Sequence, residues 1–140
     1  MNKAKSRILI VDNEPALTNV LKATLEDSGE FEVREENNPS FTVATAKQFR
    51  PDLIVLDIKM PDMDGADVAI RLKGETELAE TPVVFLTGTV TAPEVVRHGR
   101  NAGGLRFLPK TMRLDDLLKC LKDILSGSLL ALGGSGVRAA

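Results

Sequence analysis

The chain has 140 residues, 43% of them hydrophobic and 27% charged, a balance that suits one globular domain with a sizeable core. A net charge of −2 offers no basic excess for nucleic acid or an anionic membrane surface, and the single cysteine, Cys120, excludes an intramolecular disulfide and a cysteine-rich metal site. No apolar run nears the roughly 20 residues that span a bilayer. The basic stretch 1–7 leads into too few apolar residues for a signal-peptide core, so a cytoplasmic protein is expected.

Five short apolar runs alternate with segments of helical period. Ile8-Leu9-Ile10-Val11 is the first run; Leu17, Val20, Leu21, Thr24 and Leu25 follow at helical spacing, with Pro15 suited to the first turn and Gly29 to the end. Glu32-Val33-Arg34 reads as a weak, polar strand of the kind found at a sheet edge. Asn38-Pro39 starts a second helix that reaches about Phe49. The third run, Leu53-Ile54-Val55-Leu56, ends at Asp57, and a helix carrying Val68, Ala69 and Leu72 follows Gly65.

The fourth run, Val83-Val84-Phe85-Leu86, ends at Thr87. Thr91 and Glu94 form a capping-box signature for a fourth helix, whose Val95, Val96 and Gly99 disfavour helix. Leu105-Arg106-Phe107-Leu108 is the fifth run and ends near Pro109-Lys110. A final helix carries Leu114, Leu117, Leu118, Leu121, Ile124 and Leu125 on one face. Domain boundaries of 6–125 are expected, with 126–140 a Gly/Ala-rich tail or the start of a linker.

Regular alternation of strand and helix, with continuous apolar strands, implies a parallel sheet covered on both faces. The fold class is a doubly wound α/β domain, and ligands are expected at the carboxyl ends of its strands. Asp12 ends strand one, Asp57 strand three and Thr87 strand four, and Lys110 follows strand five. Two carboxylates suit a hard cation such as Mg²⁺, which takes a few oxygens and keeps several waters. A hydroxyl and an ammonium beside them suit phosphoryl oxygens. Asp57 then reads as a nucleophile that becomes an acyl phosphate. Singly, each residue has a plainer explanation: either Asp can cap a turn, Thr87 can be a loop hydroxyl and Lys110 a solvated charge. All four at one sheet edge are hard to explain that way.

With these residues in view, the chain resembles the receiver domain of two-component response regulators. The resemblance covers about residues 6–125. Its carriers are Ile8-Leu9-Ile10-Val11-Asp12-Asn13-Glu14-Pro15, Leu56-Asp57-Ile58-Lys59-Met60-Pro61-Asp62-Met63-Asp64-Gly65, Phe85-Leu86-Thr87 and Phe107-Leu108-Pro109-Lys110. It implies a flavodoxin-like sheet of five parallel strands, order 2-1-3-4-5, with five helices. It also implies that Asp57 takes phosphoryl from a sensor histidine kinase or phosphotransfer protein while Mg²⁺ is bound. The implied metal donors are Asp12, Asn13, Asp57 and the Lys59 carbonyl. Thr87 and Lys110 would bind the phosphoryl group, and Phe107 would turn inward on activation, changing the surface of the fourth helix, fifth strand and fifth helix. Such a protein is a switch with at most slow self-dephosphorylation, not an enzyme.

Three departures from the family pattern carry expectations. The usual acidic pair is Asp12-Asn13 here, which predicts weakened Mg²⁺ binding. The usual Lys-Pro is Lys110-Thr111, with Pro109 ahead of the lysine, which bears on where Lys110 sits. Gly88 replaces the common Ala after Thr87.

The rival to a phosphoacceptor is a degenerate receiver that binds a partner without phosphorylation. A haloacid-dehalogenase-like phosphatase wants a second acid two residues after Asp57, where Lys59 stands. A dinucleotide fingerprint is absent after strand one. His98 lacks a second ligand at helical spacing. No output domain is predicted within the chain, so its downstream partner is unassigned; homodimerisation on activation is one partner state considered, and neither nucleic acid nor membrane is expected to bind this domain.

Overall fold

The computed structural model describes residues 5–61, 63–87 and 106–126. Five strands form one parallel sheet in the order β2-β1-β3-β4-β5: β1 Ser6–Val11, β2 Phe31–Glu36, β3 Leu53–Asp57, β4 Val83–Thr87 and β5 Arg106–Pro109. Four helices lie among the described residues: α1 Pro15–Asp27, α2 Thr42–Phe49, α3 Gly65–Lys73 and α4 Leu114–Ser126. The helix expected from Thr91, together with Gly88 and His98, falls outside them.

The apolar runs become strands because both of their faces are covered. Every residue of β3 and β4 is buried. Alternate residues feed two cores. Leu9, Val11, Ile54, Leu56, Val83 and Phe85 pack with residues of α2 and α3, while Ile8, Ile10, Leu53, Val55, Val84 and Leu86 pack with residues of α1 and α4. A side-chain period of two makes this register hard to slip, since a one-residue shift would exchange the two cores.

Strand β2 is longer than its predicted centre because Phe31 and Val33 turn inward while Glu32 and Arg34 face out, the alternation of an edge with one covered face. Before α2 the chain makes a 3₁₀ turn, Pro39–Phe41, capped by the Asn38 side chain, so the α-helix begins at Thr42 rather than at Asn38-Pro39. In α1 the inward face is Thr18, Leu21 and Leu25, and Val20, expected inside, is 51% exposed. A hydroxyl therefore occupies an apolar slot of the helical period. On α4, Leu117 and Leu121 are buried, while Leu114 at its first turn is 38% exposed.

Candidate functional site

The parallel arrangement brings the carboxyl ends of β1, β3, β4 and β5 to one edge. Asp12 follows β1, and Asp57 closes β3; both side chains are almost fully buried. The Lys110 ammonium reaches between them, 3.0 Å from Asp12 Oδ2 and 3.0 Å from Asp57 Oδ1. Glu14 lies further out, with Oε1 4.0 Å from the same ammonium.

Lys110 is fixed by backbone rather than by a following proline. Its N–H donates to the Thr87 carbonyl at 2.8 Å, continuing the β4–β5 ladder in which Thr87 pairs with Pro109. Pro109 is accommodated at an edge strand, where a missing N–H is tolerated. The Lys110-Thr111 departure therefore leaves the ammonium at the two carboxylates. Thr87 is buried at the end of β4, one position beyond Leu86, the partner of Asp57.

The charges are coupled. Burial raises the Asp57 pKa above 3.8 and the Asp12 charge adds to this; hydrogen bonds from Lys110 and from the Lys59 backbone N–H oppose the rise without cancelling it. For Lys110, burial lowers the pKa, but hydrogen bonds to and charge on Asp57 and Asp12 outweigh it and the net shift is upward.

An acid whose folded pKa is raised binds its proton more tightly in the fold. Its contribution to stability is present below about pH 3.8 and is lost as pH climbs through the folded value. Asp57→Asn is therefore expected to be more stable than the unmodified chain at neutral pH without metal, with the gap narrowing as pH falls toward 4. Urea unfolding across that range measures it.

The loop after β3 is held by Gly65. Its N–H donates to the Ile58 carbonyl at 2.7 Å. A Cβ there would collide with the Asp57 carbonyl oxygen and lie 2.9 Å from Ile58 Cα, so only glycine permits this approach. Phe107, half-buried on β5, stacks on Phe85 with ring centroids 4.9 Å apart. The two rings line an apolar cavity of about 730 Å³ together with Ile58, Ala66, Ala69 and Ile70.

The donor set fits a hard divalent ion. Asp12 Oδ2 is buried and has no hydrogen-bond partner beyond its ion pair with Lys110 Nζ at 3.0 Å. Among the described residues no three His, Cys, Asp or Glu side chains are grouped to hold a metal. Two carboxylates supplemented by neutral oxygens and water are what Mg²⁺ accepts. Asn13, beside Asp12, and Lys59, two residues after Asp57, carry neutral oxygens of the kind such an ion accepts.

Sequence reasoning had Asp12, Asp57, Thr87 and Lys110 at this edge, and the structure brings them together. It missed the steric demand on Gly65, read there only as the residue that a helix follows, and a hydrogen-bonded group behind Asp12 comprising Thr18, Glu35 and Asn37. The available signal was a threonine in the inward register of α1.

Residues 8–122 match the response regulator receiver domain family. The chain belongs to that family. The receiver is 33% identical to the protein PilH of Pseudomonas aeruginosa over 87% of its own length and 99% of that protein. It is 34% identical to the transcriptional regulatory protein TrcR of Mycobacterium tuberculosis, covering 87% of the chain but 46% of TrcR. It spans about half the length of TrcR and of the regulator RpaA of Synechocystis. Among solved structures, the chemotaxis protein CheY4 of Vibrio cholerae aligns with TM-score 0.75 and 29% identity, covering 86% of the receiver and 99% of CheY4. Receivers are signalling modules of two-component systems, in which phosphorylation and Mg²⁺ are general. No helix among the described residues is long and apolar enough to cross a membrane.

Proposed function

We propose that this receiver is a phosphoacceptor switch in which Asp57 takes phosphoryl from a sensor histidine kinase or phosphotransfer protein in the cytoplasm. The observation that carries this reading is one ammonium, Lys110, 3.0 Å from each of two buried carboxylates at the carboxyl edge of the sheet. An Asp57 oxygen attacks phosphorus; an O–P bond forms, the donor's P–N bond breaks, and the histidine nitrogen keeps the electron pair. Lys110 would neutralise charge on the incoming phosphoryl oxygens, and the Thr87 hydroxyl would donate to one of them. Asp12, Asn13, Asp57 and the Lys59 carbonyl would hold Mg²⁺, which when bound supplies charge neutralisation to the phosphoryl group. Hydrolysis of the acyl phosphate by water returns the switch slowly to its starting state.

Phosphorylation would draw Thr87 inward and bias Phe107 between two arrangements, altering a surface that includes β5 and α4. The half-buried Phe107, stacked beside an apolar cavity, supports this. The test is incubation with acetyl phosphate and Mg²⁺: covalent labelling supports the switch, and a folded, unlabelled chain refutes it. The second reading, a partner-binding receiver that works unphosphorylated, is favoured by Asn13 and by Lys110 already forming an ion pair with each carboxylate. It predicts the unlabelled result.

Asn13 offers an amide where a second acid would add charge. Two unit charges about 4 Å apart interact by roughly 4 kcal/mol at an effective dielectric near 20, before solvent and neighbours compensate. A net loss of about 1–3 kcal/mol corresponds to about ten- to a hundredfold in affinity. Asn13→Asp should tighten Mg²⁺ binding by that factor and Asp12→Ala should abolish it, as read by titration calorimetry. Equal affinity in the unmodified chain and Asn13→Asp would mean that the missing charge is supplied elsewhere.

A further inference from the structure

Asp12 is held from behind by groups that lie outside the phosphoryl site. The Asn37 side-chain amide donates to the Asp12 carbonyl at 2.8 Å and to the Thr18 hydroxyl at 3.0 Å. That hydroxyl, on a fully buried residue of α1, donates in turn to Glu35 Oε1 at 2.6 Å. The Asp12 N–H donates to the Glu36 carbonyl at 3.1 Å, and Asp12 Oδ1 accepts the Glu14 N–H at 3.0 Å. Three elements, β1, α1 and the end of β2, thus converge on a single residue.

We infer that Asn37 is a positioning residue for the metal-binding end of the site, acting through Asp12 and braced by Thr18 and Glu35. The reason is geometric. Asp12 lies just beyond the end of β1, where the strand ladder no longer fixes its carbonyl. One amide group tied to α1 on one side and Asp12 on the other replaces that ladder bond. With the backbone of residue 12 fixed at its N–H by Glu36 and at its carbonyl by Asn37, and Oδ1 held by the Glu14 N–H, the carboxylate is kept toward Lys110 and Asp57. A metal donor set with only two carboxylates depends strongly on such alignment, because octahedral Mg²⁺ tolerates little misplacement. Asn37 itself touches neither metal nor phosphoryl group in this account.

The inference rests on the phosphoacceptor reading for its functional meaning, so the experiment pairs a metal readout with one that needs no metal. Asn37→Ala removes the amide; Thr18→Val keeps the shape of the brace and removes its hydroxyl. The first readout is Mg²⁺ affinity by calorimetry under conditions where each variant is fully folded, so that a purely structural loss of stability would leave it unmoved. Affinity is expected to fall about tenfold in Asn37→Ala, within the range seen when groups orienting metal ligands are removed, and less in Thr18→Val. The second is amide hydrogen exchange, expected to quicken at Asp12 and Glu14 relative to core amides of Leu9 and Val55. Should Asn37→Ala not fold, Thr18→Val is judged by the same two measures. Unchanged Mg²⁺ affinity in the folded variant overturns the positioning role. If the unmodified chain binds no Mg²⁺ and takes no phosphoryl, the phosphoacceptor reading fails on its own. Exchange then decides: selective quickening at Asp12 and Glu14 upholds the clamp on Asp12, and its absence overturns it.

Discussion

Lys110→Ala is expected to slow acyl phosphate formation by acetyl phosphate about 10²–10³-fold, the usual consequence of removing a preorganised donor from a site of developing charge. The ammonium is 3.0 Å from both carboxylates, and its backbone is tied to Thr87. The variant should also respond to pH differently. Without Lys110, the burial and Asp12 charge that raise the Asp57 pKa are opposed only by the Lys59 N–H. The folded pKa climbs further, so the interval over which stability is lost with rising pH extends upward from about 3.8. Labelling rates at saturating Mg²⁺, combined with urea unfolding between pH 4 and 8, measure both effects. A Lys110→Ala variant that labels at the unmodified rate would remove the lysine from the phosphoryl site.

Gly65→Ala is expected to destabilise the fold by about 2–3 kcal/mol, toward the upper end of what overpacking costs in a well-packed interior. The new methyl would meet backbone rather than a flexible side chain: the Asp57 carbonyl, Ile58 Cα at 2.9 Å and the Asp57 carbonyl carbon at 3.1 Å. Relief requires either α3 or the residues after β3 to shift, and the second choice moves Asp57 itself. Thermal unfolding should show a drop of the order of 10 °C. Phosphorylation should weaken even in the fraction that remains folded. A variant of unchanged stability and activity would show that the contact between α3 and the end of β3 is looser than the geometry gives.

Strand positions were legible in the sequence because buried parallel strands are continuous apolar runs, and their order followed from the family resemblance. The site was legible because Asp57 and Thr87 close those runs, and Asp12 and Lys110 stand immediately after them. Less was visible where structure depends on partners distant in sequence. The inward turn of Phe31 and Val33 is set by pairing with β1, not by local pattern. Thr18 reads as a polar residue on α1 until Glu35 and Asn37 are seen to receive and supply its hydrogen bonds. The placement of Lys110 is not encoded by the residue after it, which is Thr111. What fixes it is the ladder to Thr87, which no short motif encodes.

If Asp57 carries the phosphoryl group, its carboxylate becomes an acyl phosphate. Peptide mass spectrometry after borohydride reduction of the acetyl phosphate-treated, Mg²⁺-loaded receiver tests it most directly, because reduction converts an acyl phosphate into a stable, locatable mark. The mark is expected on Asp57 alone and is expected to be lost in Asp57→Asn. A mark on Asp12 or on another carboxylate, or equal labelling of Asp57→Asn, would contradict it.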